Sequence, residues 1–321
     1  MKTVYLCENE KNVRDVFGYG GRVYTKADVM TSPELFSDTE YLFSTWGMPS
    51  FTEEEIRSTL PSLKALFYGA GSVQAFGRQF LNCGVRVFSS WAANAVPVAE
   101  YTVAQIVLAN KGYHGSSRLA KSGNRAMARE YSEAFVGNYG AKIGIIGAGM
   151  IGSLVIKMLK AYDLDVIVHD PFLSDSRAEE LGVKKVSLEE LFCSSNVVSS
   201  HLANNESTKG MLGGKLFGTM QPYSTFINTG RGAQVVEREL VSVLKDRPDL
   251  TAVLDVTYPE PPEEGSELYT LPNCVLTPHI AGSAGNEVRR MGLYMMKEYD
   301  ALINGLPCRY EVTVKMLETM A

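Results

Sequence analysis

From residue 142 onward the chain alternates short apolar runs with Gly or Asn/Asp turns and amphipathic stretches. The runs fall at 143–146, 166–168, 197–198, 225–227, 252–256 and 275–276. Runs this short and this rich in Val and Ile suit parallel strands covered on both faces. Between the first two, Ile151, Leu154, Val155, Met158 and Leu159 recur at helical spacing and predict a helix with one buried face. Ser187 followed by Glu190 predicts another helix start, closed by a capping box. The whole stretch reads as repeated strand–helix–strand units.

Residues 1–97 carry a looser version of the same pattern, with apolar runs at 4–6, 41–43, 65–68 and 85–88. They predict a smaller α/β domain. A long helix is expected over 98–111, leading into the second domain, and a last helix over roughly 284–303 carries the chain back. A chain of 321 residues exceeds what one core usually organises. The expected architecture is therefore α/β throughout: two doubly wound parallel-sheet domains with a cleft between them. One is built from 1–97 with 286–321, the other from 98–285.

Composition narrows the classes of function. Apolar residues make up 45% and charged residues 21%, enough for two cores and unlike a disordered chain. A net charge of -5 without a dense Lys/Arg block argues against a nucleic-acid partner. Cys7, Cys83, Cys193, Cys274 and Cys308 are scattered and form no CxxC or Cys/His cluster, so neither a disulfide framework nor a metal site is expected. The apolar run before Glu8 is too short for a signal peptide, and no later stretch reads as long enough to span a bilayer. These features together point to a cytoplasmic protein.

Candidate chemistry begins at Gly147-Ala148-Gly149-Met150-Ile151-Gly152, which follows a predicted strand and opens a predicted helix. Such a turn lets backbone amides and the helix N-terminus approach a pyrophosphate. At the end of the next run stands Asp170, where a carboxylate accepts hydrogen bonds from ribose hydroxyls and repels the extra phosphate of NADP; NAD is thus the expected cofactor. Three further motifs sit on successive strand ends: Asn228-Thr229-Gly230-Arg231-Gly232, Leu254-Asp255 through Glu260-Pro261-Pro262, and Thr277-Pro278-His279-Ile280-Ala281-Gly282. Tyr68-Gly69-Ala70-Gly71 and the stretch from Asn94 to Glu100 complete the set.

In order and spacing these motifs resemble the D-isomer-specific 2-hydroxy-acid dehydrogenases, over most of the chain. The resemblance implies two Rossmann-like domains, a flavodoxin-like substrate domain and an NAD-binding domain, and a hydride exchanged between NAD and C2 of a small 2-hydroxy or 2-oxo acid. It gives Arg231, Glu260 and His279 the catalytic roles. His279 would supply the proton to the carbonyl oxygen, Glu260 would orient its ring, and Arg231 would grip the substrate and polarise the carbonyl. It assigns Gly147, Gly149, Met150, Ile151, Gly152, Asp170, His201, Thr229 and Asp255 to the cofactor. Gly71, Ser72 and Asn94, with Arg231, go to the substrate. It also implies a homodimer, joined through Ala99 to about Tyr131.

The chain departs from that family in places. Ser72-Val73-Gln74 replaces the usual hydrophobic residue and Asp after Gly-Ala-Gly, and Ala203-Asn204-Asn205 replaces a Pro-containing turn after His201. Trp46 either lines the mouth of the cleft or closes the small domain's core. His114 and His169 read as structural. A different class of function also fits the scaffold: an NAD-sensing, corepressor-like protein with little turnover. An L-lactate or malate dehydrogenase type would place its nucleotide turn near the N-terminus rather than at Gly147.

Overall fold

The computed structural model describes residues 2–318, so the expected outer limits of the first domain, at residue 1 and over 319–321, lie outside the described residues. The chain forms two compact units. Among the described residues, one takes those up to Ala95 and those after Gly282; the other is Val96–Gly282.

In the first unit, strands β1 (Lys2–Tyr5), β2 (Thr39–Ser44), β3 (Ala65–Tyr68) and β4 (Arg86–Ser89) run parallel in that order. A two-residue strand, Glu311–Val312, joins β4 antiparallel, and Leu6 bridges Tyr24 on the other flank of β1. Side chains alternate between faces, as a strand's two-residue period requires. Leu42, Leu66, Tyr68 and Val87 enter one core, while Tyr41, Phe43, Ala65, Phe67 and Phe88 enter the other. On the second face Phe43, Phe67 and Phe88 stack at 4.9 Å per step. Met295 and Tyr299 from the helix Val288–Ile303 cover them.

The second unit holds seven parallel strands among the described residues: β5 (Lys142–Ile146), β6 (Asp165–His169), β7 (Lys184–Lys185), β8 (Val197–Ser200), β9 (Thr225–Asn228), β10 (Thr251–Leu254) and β11 (Cys274–Leu276). Their order, β11-β10-β9-β8-β5-β6-β7, puts the topological switch between β5 and β8. Crevices at the carboxyl ends of strands flanking such a switch are where open α/β sheets bind ligands. Both faces are covered: Ile143, Ile145, Ile227 and Val253 pack on one, and Ile146, Phe226, Ala252 and Leu254 on the other.

Several expectations are corrected. The long helix starts at Trp91 rather than 98 and runs through Pro97 to Ala109. Proline removes one helical donor, but Ala93, Ala95, Val98 and Ala99 are all buried, and that burial outweighs the lost bond. The same helix is long and apolar enough to cross a membrane by length and composition, contrary to the sequence reading, yet over half of its apolar window is buried in the protein. At Ser187 only half of the capping box forms: its hydroxyl accepts from the Glu190 amide at 3.0 Å, while the Glu190 carboxylate pairs with Lys184. The final α-helix begins at Val288, after a 3-10 turn at Gly285–Glu287.

Candidate active site

The Gly147–Gly152 turn follows β5, and two of its three glycines are dictated by close approach. Gly147 has φ +86°, and a Cβ there would meet the His201 carbonyl oxygen at 2.8 Å; one on Gly152 would stand 2.0 Å from the Gly147 carbonyl oxygen. A Cβ on Gly149 meets nothing within 4 Å, so the turn opens onto free space at the head of the helix Met150–Leu159. Gly149 is the N-cap and no side chain caps the helix, which leaves first-turn amides available to an anion. Met150 is exposed and Ile151 partly so. Asp170, at the end of β6, accepts the Ala148 amide on Oδ2 and the Phe172 amide on Oδ1, both at 2.8 Å. Each oxygen keeps a lone pair for a ribose hydroxyl.

His201 follows β8. Its Nε2 lies 3.0 Å from Ser199 Oγ, and its buried Nδ1 has no partner. Burial pushes its pKa down to about 4, so the ring is neutral at neutral pH. Thr229 is buried with its hydroxyl 3.2 Å from Thr102 Oγ1, so its side chain faces the protein.

Arg231 follows β9. Its half-buried guanidinium donates to the Gly230 carbonyl at 2.8 Å, and the Asn228 amide group ties the same loop by donating to the Arg231 carbonyl and accepting from the Gly230 amide. Burial lowers the guanidinium pKa and Glu260 partly offsets this; arginine remains a cation throughout. Gly232 sits so near the Thr257 backbone that a Cβ would come within 2.0 Å of it, which draws the Arg231 loop against the segment after β10. His279 Nδ1 lies 2.6 Å from Glu260 Oε1, and both side chains are 40% or more exposed.

His279 has φ +55°, a left-handed conformation that costs a residue with a Cβ some stability. Asp255 accounts for it. Only 2% exposed, its carboxylate accepts the Thr277 hydroxyl at 2.6 Å and the Ile280 and Ala281 amides at 2.9 Å, while its carbonyl accepts the His279 amide at 3.0 Å. The loop bearing His279 is folded around this buried carboxylate. Tyr101, which sequence reasoning missed, places its hydroxyl 3.2 Å from Thr277 Oγ1.

In the first unit, the loop after β3 is backed by Ser89, whose hydroxyl donates to the Ala70 carbonyl at 3.0 Å and also contacts the Gly71 carbonyl. Among the described residues the Gly71 and Ser72 amides have no acceptor. Asn94 Oδ1 accepts the Ser283 amide at 2.9 Å, and its Nδ2 would stand 3.6 Å from a Cβ on Gly71. These residues therefore share one patch. Trp46 is 39% exposed after β2, so it does not close the core; its carbonyl accepts from Cys7 and Asn12.

Residues 103–281 match the model of the D-isomer specific 2-hydroxyacid dehydrogenase NAD binding domain. The chain is 32% identical over 237 residues to the D-3-phosphoglycerate dehydrogenase of Archaeoglobus fulgidus, covering 73% of this chain and 44% of that one. It is 33% identical over 202 residues to the (S)-sulfolactate dehydrogenase of Chromohalobacter salexigens, covering 62% and 63%. The chain spans about half the length of the curated relatives it matches. Its fold is shared with the D-mandelate dehydrogenase of Rhodotorula graminis, with a TM-score of 0.80 at 22% identity over 97% of each chain.

Proposed function

Since the chain belongs to the D-isomer-specific 2-hydroxyacid dehydrogenase family and carries that family's NAD-binding domain, we propose that it interconverts a small D-2-hydroxy acid and its 2-oxo acid. The observation that carries this reading is the His279–Glu260 pair, 2.6 Å apart and open to solvent at the strand ends that also present Arg231. NAD, when bound, gives or takes the hydride. The uncapped helix start at Gly149, the free lone pairs of Asp170 and the partnerless Nδ1 of His201 fit its phosphates and riboses.

The chain's own groups manage charge and protons. Reduction of a 2-oxo acid leaves negative charge on the carbonyl oxygen, and His279 would deliver the proton there from Nε2, because Nδ1 is held by Glu260. Arg231 would hold the substrate and stabilise the developing charge. The unpartnered amides of Gly71 and Ser72 suit the substrate carboxylate, with Asn94 beside them.

The chain acts as a homodimer in this reading. Ala99, Val103, Ile106 and Ala109 are core residues, so this reading puts the contact on the part of the expected stretch after Ala109 and just beyond it. There Tyr113, Met127, Val136 and Tyr139 expose their side chains. Light scattering that shows a dimer for the wild type and a monomer for Met127→Glu would support it.

The activity is tested by following NADH absorbance with a panel of 2-oxo acids, repeated with NADPH and with His279→Gln. Turnover that needs His279 is expected. NADH binding without turnover on any 2-oxo acid would refute the proposal and favour a sensing role.

A further inference from the structure

Gln234 lies three residues beyond Arg231 and is fully buried. Its Nε2 donates to two successive carbonyls of the loop after β8, that of Leu202 at 2.7 Å and that of Ala203 at 2.9 Å. Both its amide hydrogens are thereby used. The loop's far end is held by backbone from the same stretch: the Gly210 amide donates to the Ala233 carbonyl and the Leu212 amide to the Gln234 carbonyl, both at 2.9 Å. In between, Thr208 closes the loop on itself by donating to the Ala203 carbonyl at 2.6 Å.

This loop borders both halves of the chemistry. The His201 carbonyl, one residue before the pin, is the atom that Gly147 must lack a Cβ to accommodate. On the other side, a Cβ on Gly230 would meet Gln234 Oε1 at 3.2 Å and the Leu202 carbonyl oxygen at 3.6 Å. One amide group therefore stands between the dinucleotide turn and the loop that bears Arg231.

We infer that Gln234 is a positioning residue: it fixes the 202–208 loop against the dinucleotide turn so that NAD meets an ordered wall, and it ties that wall to the Arg231 loop. The loop has no proline of its own in Ala203-Asn204-Asn205 to stiffen it, so its order rests on these donated hydrogen bonds. The inference rests on the reading of Gly147–Gly152 as the NAD turn.

The test uses direct NADH binding by fluorescence together with hydrogen exchange over 203–212, on the wild type, Gln234→Leu and Gln234→Glu. Leucine keeps the bulk and loses both donors. It is expected to weaken NADH binding about tenfold and to speed exchange in the loop. Glutamate is the discriminating variant, since ionised it donates nothing and protonated it regains one donor. Its NADH affinity is expected to match the leucine variant at pH 9 and to recover to within about threefold of the wild type at pH 6. A role in packing alone would leave that ratio independent of pH, and that result overturns the inference. So does binding within twofold of the wild type for both variants with unchanged loop exchange. A wild type that binds no NADH overturns the cofactor reading instead, and the exchange data still report whether Gln234 orders the loop.

Discussion

Replacing Asp255 with Asn tests how the loop that bears His279 is held. The carboxylate receives two donors on Oδ1, from Thr277 and Ile280, and one on Oδ2, from Ala281. Asparagine keeps one acceptor oxygen, which best serves the two-donor side, and turns its NH2 toward the Ala281 amide. Two donors then face each other in a buried site, at a cost of about 1–3 kcal/mol. His279 gives the loop a reason to move, because leaving its left-handed backbone recovers roughly 1–2 kcal/mol. A ring displaced from Glu260 and the substrate should lower kcat by about 10- to 100-fold, at about 1.4 kcal/mol per factor of ten. The assay is steady-state NADH oxidation with saturating 2-oxo acid, beside NADH binding by fluorescence. A fall in kcat with NADH binding nearly intact is expected. Turnover within threefold of the wild type would refute the reasoning, and loss of NADH affinity with kcat preserved would return Asp255 to a direct cofactor contact.

Other outcomes follow from the same geometry. His279→Gln should cost about 10²- to 10⁴-fold in kcat with NADH affinity unchanged. Asp170→Ala should weaken NADH binding about tenfold or more and narrow the preference over NADPH; unchanged selectivity would count against a ribose contact. Gly152→Ala forces a Cβ against the Gly147 carbonyl oxygen, so it should abolish measurable NADH binding and lower thermal stability by about 1–3 kcal/mol in a melting experiment. His201 titrates at about 4 in the fold, below the ordinary 6.5, so folding favours its neutral form. That contribution, up to about 3 kcal/mol, is complete above about pH 6.5 and is lost as pH falls toward 4. Melting curves at pH 7 and 4.5 should therefore diverge more for the wild type than for His201→Gln.

The strands were readable because their signal is local. Runs such as 143–146 and 225–227 are apolar and β-branched, and a buried parallel strand demands little else. The glycines of the turn after β5 were equally open to reading, since the close approaches at Gly147 and Gly152 leave glycine as the residue that fits. What escaped was long-range. Nothing near His279 announces its left-handed backbone, because the group that holds it is Asp255, more than twenty positions earlier. Nothing near Gln234 signals its role either, because its two acceptors lie about thirty positions upstream. The long helix starts before the expected 98 for a similar reason: Pro97 is a helix breaker locally, while burial on both sides of it carries the helix from Trp91. The helices Tyr113–Lys121 and Arg125–Glu133 escaped because they are short and largely polar, and Gly115 packing on Tyr131 is visible only once both exist.

The discontinuous make-up of the first unit sets an order for its synthesis. Residues up to Ala95 leave the ribosome carrying Tyr41, Phe43, Phe67 and Phe88 on one sheet face, but Met295 and Tyr299, which cover that face, are translated some two hundred residues later. The intervening unit, Val96–Gly282, has its own cores and can fold as soon as it is complete. For most of translation, then, the nascent chain holds an aromatic surface without its lid. A chain stopped after residue 282 would keep that surface exposed for good, and would be more prone to aggregate than the full chain.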